Sequence, residues 1–546
     1  MRVLGINAIY HDPAAALVVD GAIVAAAEEE RFSRRKHGKR PLAFSAWETP
    51  DLAARWCLDT AGISADQVDI VTYSFDPRLH RAPEELGLHD PWDQLRHVYA
   101  ERAGEFLAAA LPGLDPETLT YVPHHIAHAA SAALAAPFGG DCAALVLDGR
   151  GEQHSHLAAR YRSGAVEPLV SQPLPHSLGL LYEEATEHLG FLRSSDEYKV
   201  MALASYGVPR HLDYLRTFVH ATGDGGFVSA GVDWDTMAKR RRAEEPWTAD
   251  HADLAASVQA VVEETLLDLA RWLYNRTGCN RLALAGGVAL NCVANTRVYA
   301  ETPFEQVWVQ PAAGDAGTAL GGALTAAGMA GEQVQAMATP ALGRGFDEAE
   351  IEAALRTARL AFERPDDVAD EVAEELARDG IVAWFQGRSE YGPRALGHRS
   401  LLAHPGREEN LTRLNDVKGR EQFRPVAPMV RVERAGELFR RGPIPSPYML
   451  FVHDVEAGWR ERIPAVVHVD GTARIQTVDS ADEPLVARML EGFERRTGLP
   501  VVVNTSLNTT GRPMVDDIKD ALECFGSTPV DLLAIGPFVV RRAALG

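Results

Sequence analysis

Cysteine is scarce in this chain: Cys57, Cys142, Cys279, Cys292 and Cys524 are the only five among 546 residues. They are odd in number and scattered, with no Cys-x-x-Cys pair, which excludes a disulfide framework and a cysteine zinc site and points to a reducing compartment. Long apolar runs are also missing. No stretch approaches the roughly 20 residues that a membrane span needs. The opening "MRVLGINAIYHDPAAALVVDG" is broken by Asn7, His11, Asp12 and Pro13 and has no small-residue cleavage motif, so it reads as a strand rather than a signal peptide. A cytoplasmic protein with no membrane partner is expected. Positive charge is in deficit: 54 lysines and arginines face 76 aspartates and glutamates, a formal net charge of −22. Such a field repels polyanions at long range, so no nucleic-acid partner is expected.

What remains is the make-up of an ordinary globular protein, 46% hydrophobic and 24% charged, too long for one hydrophobic core. The first thirty residues read strand, turn, strand, turn, strand: "VLGIN", "AAALVV", the hairpin signal Asp20-Gly21, then "AIVAAA". A second copy begins at Ala143 with "AALVLD", followed by "HSHLAARY" and "VEPLV". Each copy carries a polar loop after its first strand, with His11 and Asp12 in one and Asp148, Gly149, Gly151 and Glu152 in the other. A duplicated three-strand unit followed each time by helices predicts two related α/β lobes facing across a cleft. Further on, "RLALAGGVALNCVANTRV" predicts a buried strand ending at Gly286-Gly287 and a helix starting near Asn291. "VWVQPAAGDAGTALGGAL" repeats that grammar around Gly314 and Asp315. The pattern lapses between about Pro340 and Arg364, where a domain boundary is expected, with a second α/β domain beyond.

Three groups of residues carry chemistry. In "YVPHHIAHAASAAL", His124 and His128 lie four apart and so share one face of a helix while His125 looks elsewhere. That spacing suits a metal, but taken alone it more often marks capping, hydrogen-bonded or half-exposed histidines. Two carboxylates delivered by strand ends, Asp148 and Asp315, would complete a 2-His-2-Asp set of the kind iron, manganese or zinc accepts. The basic run "RRKHGKR" (Arg34 to Arg40) reads as a solvated loop or as a small-anion site such as one for a nucleotide phosphate. In the C-terminal part, Arg388, Arg394, Arg399, Lys418, Arg420, Arg424 and Arg474 fall beside glycines and prolines. The planar arginine fork pairs bidentately with phosphate, so the set suits a phosphorylated substrate; surface ion pairing is the alternative. Asn504, Ser506 and Asn508 follow a buried strand, where they either orient a small polar ligand or cap the turn.

Taken in order, "HHIAHAASA", "LVLDGRGE", "SLGLLYEEATEHLGF", "EYKVMALASYG", "LALAGGVALN", "GDAGTALGGAL", "YGPRALGHRSLLAHP", "FRPVAPMV" and "NTSLN" resemble the O-carbamoyltransferases of the NodU/TobZ type over nearly the whole chain. The resemblance implies an N-terminal domain (1–345) with the duplicated RNase H-like lobes of an actin-like ATPase, similar to threonylcarbamoyl transferases. It also implies a YrdC-like α/β domain (365–546). In such enzymes carbamoyl phosphate and ATP, with Mg²⁺ possible beside the ATP, yield a carbamoyl adenylate, and a hydroxyl of a small molecule such as an antibiotic takes the carbamoyl group. By the same resemblance His124, His128, Asp148 and Asp315 fall on a metal site, usually for Fe²⁺. Lys36 falls on a nucleotide-contacting lysine, and His11 on a histidine near the acceptor hydroxyl. Arg394, Lys418, Arg424, Arg474 and Ser506 fall on carbamoyl phosphate and adenylate positions; Asn504 is expected beside them, and the loops of Gly286, Gly287, Asn291 and Gly314, where glycine lets a phosphate approach the backbone, are expected to contact the nucleotide. The rival expectations are a threonylcarbamoyl transferase acting on tRNA and a non-catalytic ATP-binding protein.

Overall fold

A computed structural model describes residues 1–38, 49–229 and 231–542; Lys39 and Arg40 of the basic run lie outside them. The chain forms two compact units, Met1–Ala338 and Thr339–Gly546.

The first unit contains two five-stranded sheets. One comprises β1 (Arg2–Asn7), β2 (Ala14–Val19), β3 (Ala22–Glu28), β4 (Ile70–Tyr73) and β5 (Leu119–Tyr121), in the order β3-β2-β1-β4-β5. The other comprises β6 (Cys142–Leu147), β7 (His154–Arg162) and β8 (Ala165–Pro173), then, past a hairpin of β9 (Val219–Ala221) and β10 (Phe227–Ser229), β11 (Arg281–Ala285) and β12 (Gln306–Val309). Its order is β12-β11-β6-β7-β8, the same arrangement read from the other edge. In both, the first three strands form an antiparallel meander and the last two run parallel to the first. These are the two related α/β lobes that the repeated strand-turn grammar predicts, in the duplicated form that the resemblance implies. All six residues of β6, "CAALVL", are buried because helices cover both faces of a parallel-centred sheet.

Two helices exchange places between the lobes. His124–Ala133 follows β5 yet packs on β6, β7 and β11, while Ala316–Met329 follows β12 yet packs on β1, β2 and β4; the two helices also cross each other. The crossing is close because it is made of small residues. A Cβ on Gly321 would overlap the carbonyl of Ala127, so no larger residue fits there.

The second unit has ten strands: β13 (Val382–Phe385), β14 (Arg399–Ala403), β15 (Ala427–Arg431), β16 (Phe439–Arg440), β17 (His453–Val455), β18 (Thr472–Ala473), β19 (Gln476–Val478), β20 (Val501–Ser506), β21 (Leu532–Ile535) and β22 (Phe538–Arg541). Seven form a mixed sheet in the order β19-β15-β20-β14-β13-β21-β22, and β16, β17 and β18 form a small antiparallel sheet. Helices Val368–Ala377 and Pro484–Thr497 pack against each other over the large sheet, burying Val372, Leu376, Leu490 and Phe493. The segment from Pro340 to Arg364, where the sequence pattern lapses, carries the helix Glu348–Thr357.

Candidate functional site

The buried strand β6 delivers Asp148 at its C-terminal end, and β12 leads to Asp315 at the N-cap of Ala316–Met329. The backbone at Gly286 has φ +90°, and a Cβ there would overlap the Leu147 carbonyl. This glycine lets the next loop lie against the strand end, so that Gly287 N–H donates to Asp148 Oδ1 at 2.9 Å. His124 opens its helix. Its backbone N–H donates to Glu152 Oε1 (2.8 Å), and its Nδ1 donates to the carbonyl of Ser74 (3.0 Å), which orients the ring with Nε2 toward the cluster.

Those arrangements bring His124, His128, Asp148 and Asp315 together, their ligand atoms all within 4.8 Å of one another. Both histidines are fully buried and both aspartates nearly so. His124 Nε2 lies 3.5 Å from Asp148 Oδ2 and 3.6 Å from Asp315 Oδ1; His128 Nε2 lies 3.8 and 3.5 Å from the same atoms. These separations are too long for hydrogen bonds. They match the edge of a coordination polyhedron, about 3.4 Å for four ligands each about 2.1 Å from an ion. His124 Nε2 and both ring nitrogens of His128 have no hydrogen-bond partner. Leaving buried polar atoms in that state costs about 1–3 kcal/mol each, and a cation would relieve the two Nε2 atoms. Burial pushes the His124 ring toward neutrality, but the Asp148 and Asp315 carboxylates outweigh it and hold its pKa well above the usual value. Burial likewise opposes ionisation of the two aspartates, and the imidazoles hold both pKa values down. The four side chains together form an anionic pocket with nitrogen and oxygen donors, which fits a divalent metal.

A second cluster lies in the loop after β1. His11 Nδ1 and His37 Nδ1 each lie 2.8 Å from a different oxygen of Asp12, and the two rings are 4.2 Å apart. Lys36, beside His37, lies over the ring of Tyr198. The two polar loops of the duplicated unit touch, since Tyr10 donates its hydroxyl to the Gly151 carbonyl (3.0 Å) and packs edge-on to His124. Of the other expected contact positions in this unit, Gly314 faces open space, with only Leu290 within 4 Å of a Cβ. Asn291 caps the helix Cys292–Glu301 and exchanges hydrogen bonds with Gln259 (2.9 and 3.0 Å).

In the second unit, Lys418 ends the helix Glu409–Lys418 and turns its Nζ onto Ser506 Oγ (2.9 Å), the Ser506 carbonyl and Asn508 Oδ1. Asn504, fully buried one turn of pleat earlier on β20, donates to the carbonyl of Ala395 (3.1 Å) and to Gln476 Oε1 (2.7 Å). It thereby ties the loop bearing Arg394 to the strand that follows Arg474. Arg394, Arg424 and Arg474 are half-buried on the loops that converge there. Two cations of the sequence set have another task. Arg399 is fully buried against Phe385 and donates to the carbonyls of Gln386, Gly387, His398 and Arg344. Arg388 donates to the carbonyls of Gly343 and Leu342. Both hold loops in place.

Sequence reasoning named Glu152 only as part of a polar loop and passed over Ser74, His37 and Ser195. His37 stands inside a quoted motif, whereas Ser74 and Ser195 carry no local signal and are recruited only by the fold.

The comparisons with known proteins cover both units. The family model described as Carbamoyltransferase N-terminus matches residues 2–324, and that described as Carbamoyltransferase C-terminus matches residues 373–542. An uncharacterized protein of Synechocystis is 37% identical over 100% of this chain and 97% of its own length. Nodulation protein NolNO of Sinorhizobium fredii is 37% identical over 98% of this chain and 80% of its own. Among solved structures, (R)-2-hydroxyglutaryl-CoA dehydratase component A of Acidaminococcus fermentans covers 61% of this chain and 99% of its own at 13% identity and a TM-score of 0.34. Two family models matched in order, together spanning most of the sequence, establish that this chain belongs to the carbamoyltransferase family.

Proposed function

We propose that the protein is an ATP-dependent O-carbamoyltransferase acting on a small molecule, a natural product such as an antibiotic. In this reading the C-terminal domain (365–546) joins carbamoyl phosphate and ATP into carbamoyl adenylate, with Arg394, Lys418, Arg424, Arg474, Asn504 and Ser506 binding the substrates. The N-terminal domain (1–345) transfers the carbamoyl group to the acceptor hydroxyl. His124, His128, Asp148 and Asp315 hold a divalent metal, Fe²⁺ being our assignment. Once bound, it supplies positive charge to phosphate oxygens. Lys36, Gly286, Gly287 and Gly314 line the nucleotide path; the saturated amide of Asn291 supports it as a cap.

Adenylation replaces a poor leaving group by AMP. The acceptor hydroxyl then attacks the carbamoyl carbon while its proton passes to His11, on the loop after β1. The observation that carries the reading is the pairing of a family match in each unit with a buried 2-His-2-Asp set whose Nε2 atoms have no hydrogen-bond partner. A net charge of −22 weighs against tRNA as the acceptor.

The test is isotope exchange between pyrophosphate and ATP driven by carbamoyl phosphate, without tRNA. The wild-type protein exchanges. Arg394→Ala lowers exchange by about 30- to 1,000-fold, the worth of a bidentate phosphate contact of roughly 2–4 kcal/mol. His11→Asn keeps exchange and lowers transfer by about two to four orders of magnitude. The opposite pattern overturns the division of labour between the domains.

A further inference from the structure

Asp12 carries two imidazoles on one carboxylate. An ionised carboxylate only accepts hydrogen bonds, so the Nδ1 atoms of His11 and His37, each 2.8 Å from a different oxygen of Asp12, both carry a proton. Burial opposes the charge on Asp12, but the two neighbouring rings hold its carboxyl well below the usual range. Burial, followed by the proximity of His11, keeps His37 toward the neutral form, and its Nε2 lies 2.8 Å from Ser195 Oγ, whose hydroxyl it can accept. His37 is fixed further by its backbone N–H, which donates to Glu30 Oε2 at 2.7 Å. At the other end of the chain, His11 Nε2 lies 2.5 Å from the carbonyl of Ser194.

The backbone is strained around this cluster. Tyr10, Asp12, His37 and Ser194, none of them glycine, have φ of +54°, +44°, +60° and +57°. Such a conformation persists only where its surroundings over-determine it. The three side chains are close enough to hold an ion, but both Nδ1 hydrogens are spent on Asp12. The group is therefore a hydrogen-bonded chain from Ser195 through His37 and Asp12 to His11.

We infer that Asp12, backed by His37 and Ser195, is the positioning residue that makes His11 the base for the acceptor hydroxyl. The inference rests on the transfer reaction proposed above. In that step the hydroxyl oxygen bonds to the carbamoyl carbon, the bond from that carbon to the adenylate phosphate oxygen breaks, and AMP leaves with the electron pair. The hydroxyl proton goes to His11 Nε2. Asp12 fixes the tautomer that has the lone pair on Nε2 and stabilises the imidazolium that forms, while His37 pins the second oxygen so that the carboxylate cannot swing away. The carbonyl of Ser194 now occupies the place beside Nε2 that the hydroxyl must take. Entry of the acceptor displaces that carbonyl, and the Nε2 proton it held is lost to solvent before transfer.

The experiment compares two nucleophiles in the full-length protein supplied with ATP and carbamoyl phosphate. Glycerol stands for an acceptor hydroxyl that needs a base; hydroxylamine attacks without one. Carbamoylated products are read by mass, and carbamoyl phosphate-driven pyrophosphate exchange is read alongside. Asp12→Asn should lower kcat for glycerol about 10²–10⁴-fold with little change in KM, while exchange and hydroxylamine carbamoylation stay within about twofold of wild type. His37→Ala should reproduce the split more weakly, and His37→Gln, whose amide N–H can replace Nδ1–H, should restore most of the glycerol rate. Should Asp12→Asn not fold, the His37 pair carries the test. Equal losses with both nucleophiles, or no loss with glycerol, overturn the inference. So does a wild-type enzyme that carbamoylates hydroxylamine but not glycerol. Absence of exchange in the wild type instead overturns the carbamoyl adenylate reading, and the inference falls with it.

Discussion

In the first unit His124 and His128 present ring nitrogens with no hydrogen-bond partner, whereas in the second unit Arg388, Arg399 and Lys418 are surrounded by oxygens that take up their N–H groups. A buried polar atom without a partner is a free-energy cost awaiting a ligand; a saturated one has already been compensated by the protein. Charge counted along the sequence therefore overstates a binding site, because Arg388 and Arg399 are spent on holding loops.

The largest effect that can break this contrast lies at the histidines. Replacing His124 or His128 by alanine removes one of only four ligands, and we expect metal content measured by plasma mass spectrometry to fall to background and transfer to fall below detection. A double variant that keeps its metal would place the ion elsewhere and leave the unpartnered nitrogens unexplained.

The saturated side sharpens the contrast through Arg399. Arg399→Ala strips four carbonyls of their donor, a loss of about 3 kcal/mol or more, so the melting temperature should drop by roughly 6–12 °C. Below the melt, KM for carbamoyl phosphate in the exchange assay should hold within about threefold. A tenfold rise in KM at an unchanged melting temperature would make Arg399 a substrate contact.

The smallest effect concerns Glu197, whose carboxyl burial pushes up from 4.5 to about 7 and which accepts the Ser194 N–H at 2.8 Å. With the folded pKa above the unfolded one, the carboxyl's contribution to stability is fully present below 4.5 and is lost as the pH rises through about 7. Glu197→Gln should therefore raise the melting temperature by a few degrees at pH 8 and by less at pH 5, as read by scanning calorimetry. An equal change at both pH values would mean that the carboxyl does not titrate in this range.

Much of the architecture is legible in the sequence because turn chemistry repeats. Asp20-Gly21 and the glycines after "LVLD" mark two meanders, and the sheets built on them share one strand order. The metal-type cluster is half legible. Spacing puts His124 and His128 on one helix face, and strand ends suggest Asp148 and Asp315 as the carboxylates, but that these converge on the histidines depends on tertiary packing. The second site misleads in the other direction, because Arg394 and Arg399 share the same glycine- and proline-rich local pattern. Only the fold reveals that one is half-buried on a converging loop and the other is locked against Phe385. Ser195 is invisible in one dimension because its partner, His37, is brought to it from another part of the lobe.

The exchange of helices between the lobes has a mechanical consequence. His124 and His128 ride on a helix that leaves the first sheet to pack on the second, and Asp315 opens the helix that makes the reverse journey, with the two crossing at Gly321. An ion held by both helices would work as a rivet through an overlap joint: any motion that parts the lobes would pull on its coordination.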